Sequence, residues 1–367
     1  MRILNVMQCT NLGGMEQASL RQMVGLIERG HTCRVLSLNS LGALKAMLDS
    51  HGIPAEGMGY SGKGGWRSIY KLRRKLREYE VDSLIMTGHN LLAMQALGAV
   101  NVDRSMLAIH FHHEGVKPEW QWRLIYWMAC RRFDAITFPS EYIRREALNI
   151  YPSLRAISHV VRNPLRVPPL PSVDDRMSAR RDLGLPERAK LVGNAGWLIK
   201  RKRFDVFLRV AQSVCARTPE AYFVVAGDGE ERADLVRLAS ELGIVDKVKW
   251  LGWQSEMSTL YKALDVLLFN SDWDAFPTTP LEAMSYGLPV VASLEHGGLD
   301  EVILNEENGY LYGSHDIEAL ASAVMTCIAG SGGQIGIRGR ERVRKLCDFD
   351  DCVNEIENIL TVDEDMK

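Results

Sequence analysis

Two carboxylates eight positions apart, Asp274 and Glu282, bracket the stretch with the clearest chemical content, NSDWDAFPTTPLEAMSYGLPVVA over residues 270–292. The preceding Asp265-Val-Leu-Leu-Phe269 is a short apolar run, as expected of a buried strand. Ser271, Asp272, Pro277, Thr278, Thr279 and Pro280 favour turns and caps, so a loop is expected to open there. Leu281-Glu-Ala-Met284 reads as a helix starting near Pro280, because proline suits the first helical position. Gly287-Leu-Pro289 ends it before a strand at Val290-Val291-Ala292. A helix N-terminus presents free N–H groups and partial positive charge, which suits a phosphate. Carboxylates beside it suit hydroxyl-rich groups, since one carboxylate accepts two hydroxyl hydrogen bonds at once. The combination points to a nucleotide sugar as ligand.

The elements that must position these groups follow a repeated pattern. Residues 1–8 alternate like a strand, 10–16 make a turn containing Gly13-Gly14, and 17–29 carry Leu20, Met23, Val24 and Ile27 at helical spacing. A strand at 32–38 completes a βαβ opening, which argues for an α/β fold with a parallel sheet covered on both faces. After a proline-rich, aperiodic linker at 164–171 the pattern restarts, with a strand at 190–195, the cation run Lys200-Arg-Lys-Arg203 and a helix at 204–216. Met106–His113 reads as a strand whose period-two alternation puts His110 and His112 on one face and Phe111 and His113 on the other. That His-x-His-His cluster has only Glu114 as a neighbouring acidic ligand and no cysteine, a poor set for zinc.

The central stretch resembles the acidic-x7-acidic segment of retaining glycosyltransferases of the GT-B fold, family 4, whose members include bacterial lipopolysaccharide and glycolipid transferases. The resemblance implies two Rossmann-like parallel-sheet domains facing across a cleft: an acceptor-side domain over 1–165, a nucleotide-sugar domain over 166–345, and a terminal helix in 346–367 returning to the first. It also implies roles by position. Asp274, where the family usually has Glu, would hold the transferred sugar, and Glu282 the ribose hydroxyls. Phe276, Pro277, Thr278 and Thr279 would complete the donor loop, and Gly13-Gly14-Met15-Glu16 matches a G-G-x-E loop whose amides face the donor diphosphate. His112 or His113 matches a histidine near the transferred sugar. Lys202 matches the lysine of a G-R-L-x-x-x-K diphosphate segment, but Trp197 stands where the arginine is usual, leaving Lys200, Arg201 or Arg203 to restore the charge. Residues 253–257 lie where the family holds the base, and 296–301 resemble its G-G-x-x-E loop.

The implied activity is transfer of a sugar, with retention, from a nucleoside-diphosphate donor (a UDP-sugar favoured over a GDP-sugar) to a hydroxyl acceptor, lipid-linked or saccharide, without a further cofactor. Asp272-Trp-Asp274 also spells the D-x-D metal motif of another transferase fold. Because it leads into a phosphate-binding helix with a lysine available, the expected reaction is metal-independent. A GT-B-fold nucleotide-sugar epimerase and a non-catalytic nucleotide-sugar-binding relative are the alternative classes.

Length and composition agree with two soluble domains: 367 residues, 46% hydrophobic and 25% charged. No apolar run is read as a membrane span, and the start is a strand and turn rather than a secretory signal. Seven scattered cysteines without C-x-x-C suit a reducing cytoplasm. Residues 1–165 hold 21 Lys+Arg against 13 Asp+Glu, while the remainder holds 23 against 33. That basic half, with the aromatic and basic helices expected at 63–77 and 118–132, suggests peripheral contact with an anionic membrane at its cytoplasmic face. No nucleic-acid motif accompanies the charge.

Overall fold

The computed structural model describes residues 1–60, 65–97, 101–111, 113, 115–254 and 256–361. The chain forms two compact units, Met1–Pro164 together with Cys347–Lys367, and Leu165–Leu346.

The first unit contains β1 (Arg2–Met7), α1 (Gly14–Glu28), β2 (Thr32–Ser37), α2 (Leu44–Ser50), β3 (Ala55–Gly57), α3 (Gly65–Leu76) and β4 (Ser83–Thr87). It continues with α4 (Leu91–Leu97), β5 (Arg104–Ala108), α5 (Glu119–Arg132), β6 (Ala135–Phe138), α6 (Glu141–Ile150) and β7 (Ser158–Val160). The seven strands pair in the order β3-β2-β1-β4-β5-β6-β7. Every pairing is parallel, so helices cover both faces and β1 and β4 are apolar along most of their length. One polar knot lies at the centre. Asn5 of β1 donates to Ser19 Oγ of α1 at 2.7 Å and accepts from Thr87 Oγ1 of β4 at 3.0 Å. With both partners supplied, the buried amide escapes the cost of an unmade hydrogen bond and fixes α1, hence its Gly13-Gly14 start, over the sheet.

The second unit contains α7 (Val173–Asp182), β8 (Lys190–Ala195), α8 (Phe204–Arg217), β9 (Ala221–Ala226), α9 (Arg232–Glu241), β10 (Val248–Gly252) and α10 (Met257–Ala263). It continues with β11 (Val266–Asp274), α11 (Thr278–Ser285), β12 (Val290–Gly297), β13 (Tyr310–Tyr312), α12 (Ile317–Thr326) and α13 (Gly332–Leu346). Six parallel strands run β10-β9-β8-β11-β12-β13. Ile317–Leu346 is long and apolar enough to cross a membrane by length and composition alone, contrary to expectation. Its Leu320, Ala321 and Val324 are buried in this unit's core, and Gly330, at φ 133°, breaks the helix.

Three boundaries differ from expectation. β11 does not open into a loop at Ser271 but stays extended to Asp274, because β12 runs alongside it from Leu267↔Val290 to Asp274↔Gly297. α11 begins at Thr278, with Pro277 as its cap and Pro280 inside the first turn. β5 ends at Ala108, since its neighbour β6 stops at Phe138 and Ile109 makes the next backbone bond, to Thr137 at 2.9 Å. The expected strand therefore does not reach His110, Phe111 or His113. His112, Glu114, Lys63 of the expected basic helix and the acidic tail 362–367 lie outside the described residues.

The last helix, α14 (Phe349–Leu360), belongs to the first unit. Its Val353, Ile356 and Leu360 join the core with Ile3, Met23 and Leu26. Ser83 Oγ bonds the Leu360 carbonyl at 3.2 Å, and Glu357 receives Arg29 at 2.8 Å and His31 at 2.7 Å. The segment also changes the charge balance. With Cys347–Lys367 included, the first unit holds 22 Lys+Arg against 21 Asp+Glu, so the +8 of its N-terminal stretch falls to +1. α5 does expose Trp120, Leu124 and Trp127 on one side while burying Trp122, Ile125 and Tyr126 on the other.

α14 lies so close to α1 that a Cβ at Gly25 would sit 2.3 Å from Val353 Cγ2 and 3.1 Å from Phe349 Cε1. A helix-interior glycine ordinarily costs about 0.5–1 kcal/mol relative to alanine. Here overpacking, about 1–3 kcal/mol, outweighs that gain. Gly25→Ala should lower the midpoint of chemical denaturation, and adding Val353→Ala should recover some of the loss; a more stable Gly25→Ala protein would contradict this packing.

Candidate active site

In the second unit, the residues expected to handle a donor come from the C-terminal ends of β8 and β11. That is where ligands of open parallel sheets bind. Asp274 is the last residue of β11, and Lys202 ends a one-turn 3₁₀ helix, Lys200–Lys202, that follows β8. Lys202 Nζ lies 2.6 Å from Asp274 Oδ2, and the two side chains are 15% and 18% exposed. Partial removal from water strengthens their attraction over that of a surface pair. The ammonium also sits 5.0 Å from the centre of the Phe269 ring. Asp272, two positions earlier on the extended strand, accepts Arg203 Nη1 at 2.8 Å. Each carboxylate of the Asp-Trp-Asp triplet thus faces a cation. Trp197, 46% exposed, puts its ring 4.8 Å from that of Trp253, itself 41% exposed, just beyond β10.

α11 starts four residues after Asp274. Pro277 is its N-cap residue and makes no side-chain hydrogen bond to the first-turn N–H groups, of which Pro280 has none. Thr279 Oγ1 donates to the Ala195 carbonyl at 3.4 Å, tying this helix start to the end of β8, and Phe276 is buried beneath the loop. Glu282, one turn in, accepts the Tyr261 hydroxyl at 2.7 Å. Sequence reasoning missed Tyr261, because a tyrosine on α10 has no local signal linking it to a carboxylate 21 positions away.

In the first unit, Gly13 caps α1 in an extended conformation, φ −131° and ψ 169°. A Cβ there would lie 2.4 Å from Glu16 Oε2, the far end of a side chain that can shift. Glu16 is buried, accepts Cys9 Sγ at 3.3 Å, and has its carboxyl pushed up by that burial. His113 is buried and engaged at both ring nitrogens, Nδ1 to Glu146 at 3.2 Å and Nε2 to the Tyr126 hydroxyl, while its carbonyl accepts Trp122 Nε1 at 3.0 Å. His89, which follows β4 and drew no attention in the sequence, packs against Phe111 and Trp122 at 4.5 and 5.2 Å. Burial lowers it to about 4. Among the described residues no three His, Cys, Asp or Glu side chains converge as metal ligands.

Comparison with known proteins identifies the family. Residues 175–335 match the model for glycosyl transferases group 1, and residues 12–167 match that for glycosyltransferase family 4. The chain belongs to glycosyltransferase family 4. An uncharacterized glycosyltransferase of Haemophilus influenzae is 25% identical over 322 residues, 87% of this chain and 88% of that protein. The lipopolysaccharide core biosynthesis glycosyltransferase LpsE of Rhizobium meliloti is 30% identical over 164 residues, 44% of this chain and 47% of that protein. LpsE and the D-inositol 3-phosphate glycosyltransferases of Rhodococcus jostii and Salinispora tropica are thus spanned over less than half their length. Among solved structures, Anabaena Alr3699/HepE in complex with UDP and glucose aligns with a TM-score of 0.87 at 21% identity, covering 98% of this chain and 99% of that one. The apo lipopolysaccharide outer core galactosyltransferase WaaB aligns at 0.72 and 22% identity, covering 98% and 99%. These likenesses show the GT-B fold.

The state of Glu16 in the G-G-x-E loop sets a pH dependence. With its carboxyl raised, the folded protein holds the proton more tightly than the unfolded chain, so this group's contribution is full at low pH and lost as pH rises through the carboxylate range. Glu16→Gln should therefore raise the thermal midpoint at neutral pH, with the gain shrinking towards about pH 4, near an ordinary glutamate pKa. A lower midpoint at pH 7 would show that the ionised carboxylate is stabilised there.

Proposed function

We propose that this family 4 enzyme transfers a sugar from a nucleoside-diphosphate sugar, a UDP-sugar in preference to a GDP-sugar, to a hydroxyl acceptor with retention of anomeric configuration. The acceptor class is a lipopolysaccharide, cell-surface polysaccharide or glycolipid intermediate. The observation that carries the reading is Lys202 held 2.6 Å from Asp274 at the end of β11, four residues before the N-terminus of α11, whose cap Pro277 makes no side-chain hydrogen bond. A cation, free N–H groups and a carboxylate at one sheet end match a diphosphate and the hydroxyls attached to it. The family match, LpsE among the relatives and the UDP bound by Alr3699/HepE support the substrate class.

In this reading the bond between the anomeric carbon and the donor phosphate oxygen breaks, and its electron pair stays on the departing diphosphate. Lys202 and the α11 amides stabilise the charge developing there, the step where such electrostatics act most strongly. The acceptor oxygen bonds to the anomeric carbon from the face that the diphosphate leaves, and its proton passes to a departing phosphate oxygen. Asp274 accepts hydroxyls of the transferred sugar. Glu282, positioned by Tyr261, accepts the ribose hydroxyls. Asp272 and Asp274 each face a basic side chain, which supports transfer without a metal bridge.

Glu282→Gln and Lys202→Ala should each reduce sugar transfer from a radiolabelled donor into a bacterial envelope extract by about 100-fold or more, as loss of a leaving-group or substrate contact does. Full activity in either purified, folded variant would remove that residue from the site.

A further inference from the structure

We propose that Arg201 supplies the second diphosphate cation, in place of the arginine whose position Trp197 occupies. The inference rests on reading this sheet end as a nucleoside-diphosphate site. Trp197 carries no charge, and its ring is turned against Trp253. Three nearby cations could make good the loss, and their contacts separate them. Lys200 is exposed, and its charge is felt at Glu231. Arg203 is committed: it bonds Asp205 through Nε at 3.0 Å and Nη2 at 3.2 Å, and Asp272 through Nη1 at 2.8 Å. It also stands in the left-handed region, φ 46°, where the turn hands over to α8.

Arg201 is aimed differently. Its guanidinium carbon lies 4.2 Å from the centre of the Trp273 ring, and Nη1 donates to the Trp273 carbonyl at 2.9 Å. Ser271 Oγ donates to the same Trp273 carbonyl at 3.0 Å and lies 3.4 Å from the Arg201 carbonyl. From there Nη1 comes within 3.7 Å of Asp274 Oδ2, the same oxygen that Lys202 holds at 2.6 Å. Two cations converge on one carboxylate, so a single negative charge leaves the pair underneutralised.

A diphosphate carries more charge than Asp274 and more acceptor oxygens, so it competes for both cations. A guanidinium has five N–H donors, and among the described residues the Trp273 carbonyl takes one. The side chain is 29% exposed, accessible yet held in place by the ring beneath it. A phosphate that takes these cations frees Asp274 for hydroxyl groups. Arg201 is thus a binding residue that couples diphosphate entry to release of Asp274.

The test is isothermal titration with UDP, GDP and ADP, each against its nucleoside, on the wild-type protein and on Arg201→Gln, which keeps a donor for the Trp273 carbonyl. For the diphosphate that binds wild type, affinity should fall about 10- to 100-fold, the scale of a hydrogen bond to a charged group, while nucleoside affinity stays within about twofold. Arg201→Lys should retain most of the affinity, and Trp197→Arg added to Arg201→Gln should restore it. Equal losses for diphosphate and nucleoside, or no loss at all, would overturn the assignment of Arg201 while leaving the donor site standing. A folded wild-type protein that binds none of the three diphosphates would overturn the donor reading itself.

Discussion

The contact between Lys202 and Asp274 joins segments 72 positions apart and orders the candidate site of the second unit. It exists because β11 stays extended past its apolar run, and β11 stays extended because β12 accompanies it to Gly297. Gly297 is needed for that accompaniment: at φ 149°, a Cβ would lie 1.9 Å from the Asp274 carbonyl oxygen. The resemblance of residues 296–301 to a glycine-rich loop therefore has a steric reason. Gly227 meets the same constraint just after β9, where a Cβ would fall 1.9 Å from the carbonyl of Gly196, the residue before Trp197. Backbones crowd at these sheet ends so that loops from several strands can reach one region.

The first unit depends on a different constraint. Its hydrophobic core is completed by residues from the far end of the chain, Phe349, Val353, Ile356 and Leu360. Gly25 permits the approach, and Arg29 and His31 clasp Glu357 at its margin. The consequence is electrostatic as well as structural. Acidic residues distant in sequence offset the basic excess of the N-terminal stretch, so a charge summed over contiguous residues misstates the charge of the folded unit.

Much of this was legible in the sequence. β8 spans 190–195 as expected, because a buried parallel strand is read from composition alone. Ser140 caps α6 as its position indicates, accepting the Ile143 N–H at 3.3 Å. The failures share one cause. Ser271 and Asp272 favour turns locally, yet pairing with β12 holds them in a strand; Ile109, His110 and Phe111 look strand-like, yet β6 is too short to pair with them. Long-range partners also escaped notice. Tyr261 on Glu282, and Tyr126 and Glu146 on His113, are each decided by tertiary contacts.

The most direct test of the account is thermal denaturation of the purified wild-type and Lys202→Ala proteins with UDP, GDP and ADP, each with and without EDTA. A ligand that binds the folded state at a hundred times its dissociation constant adds about 2.7 kcal/mol, readily visible as a shift in midpoint. The account predicts that one nucleotide stabilises wild type whether or not EDTA is present, and that the shift is largely lost in Lys202→Ala. Stabilisation abolished by EDTA, or equal in the two proteins, would contradict a diphosphate held by Lys202 and the start of α11.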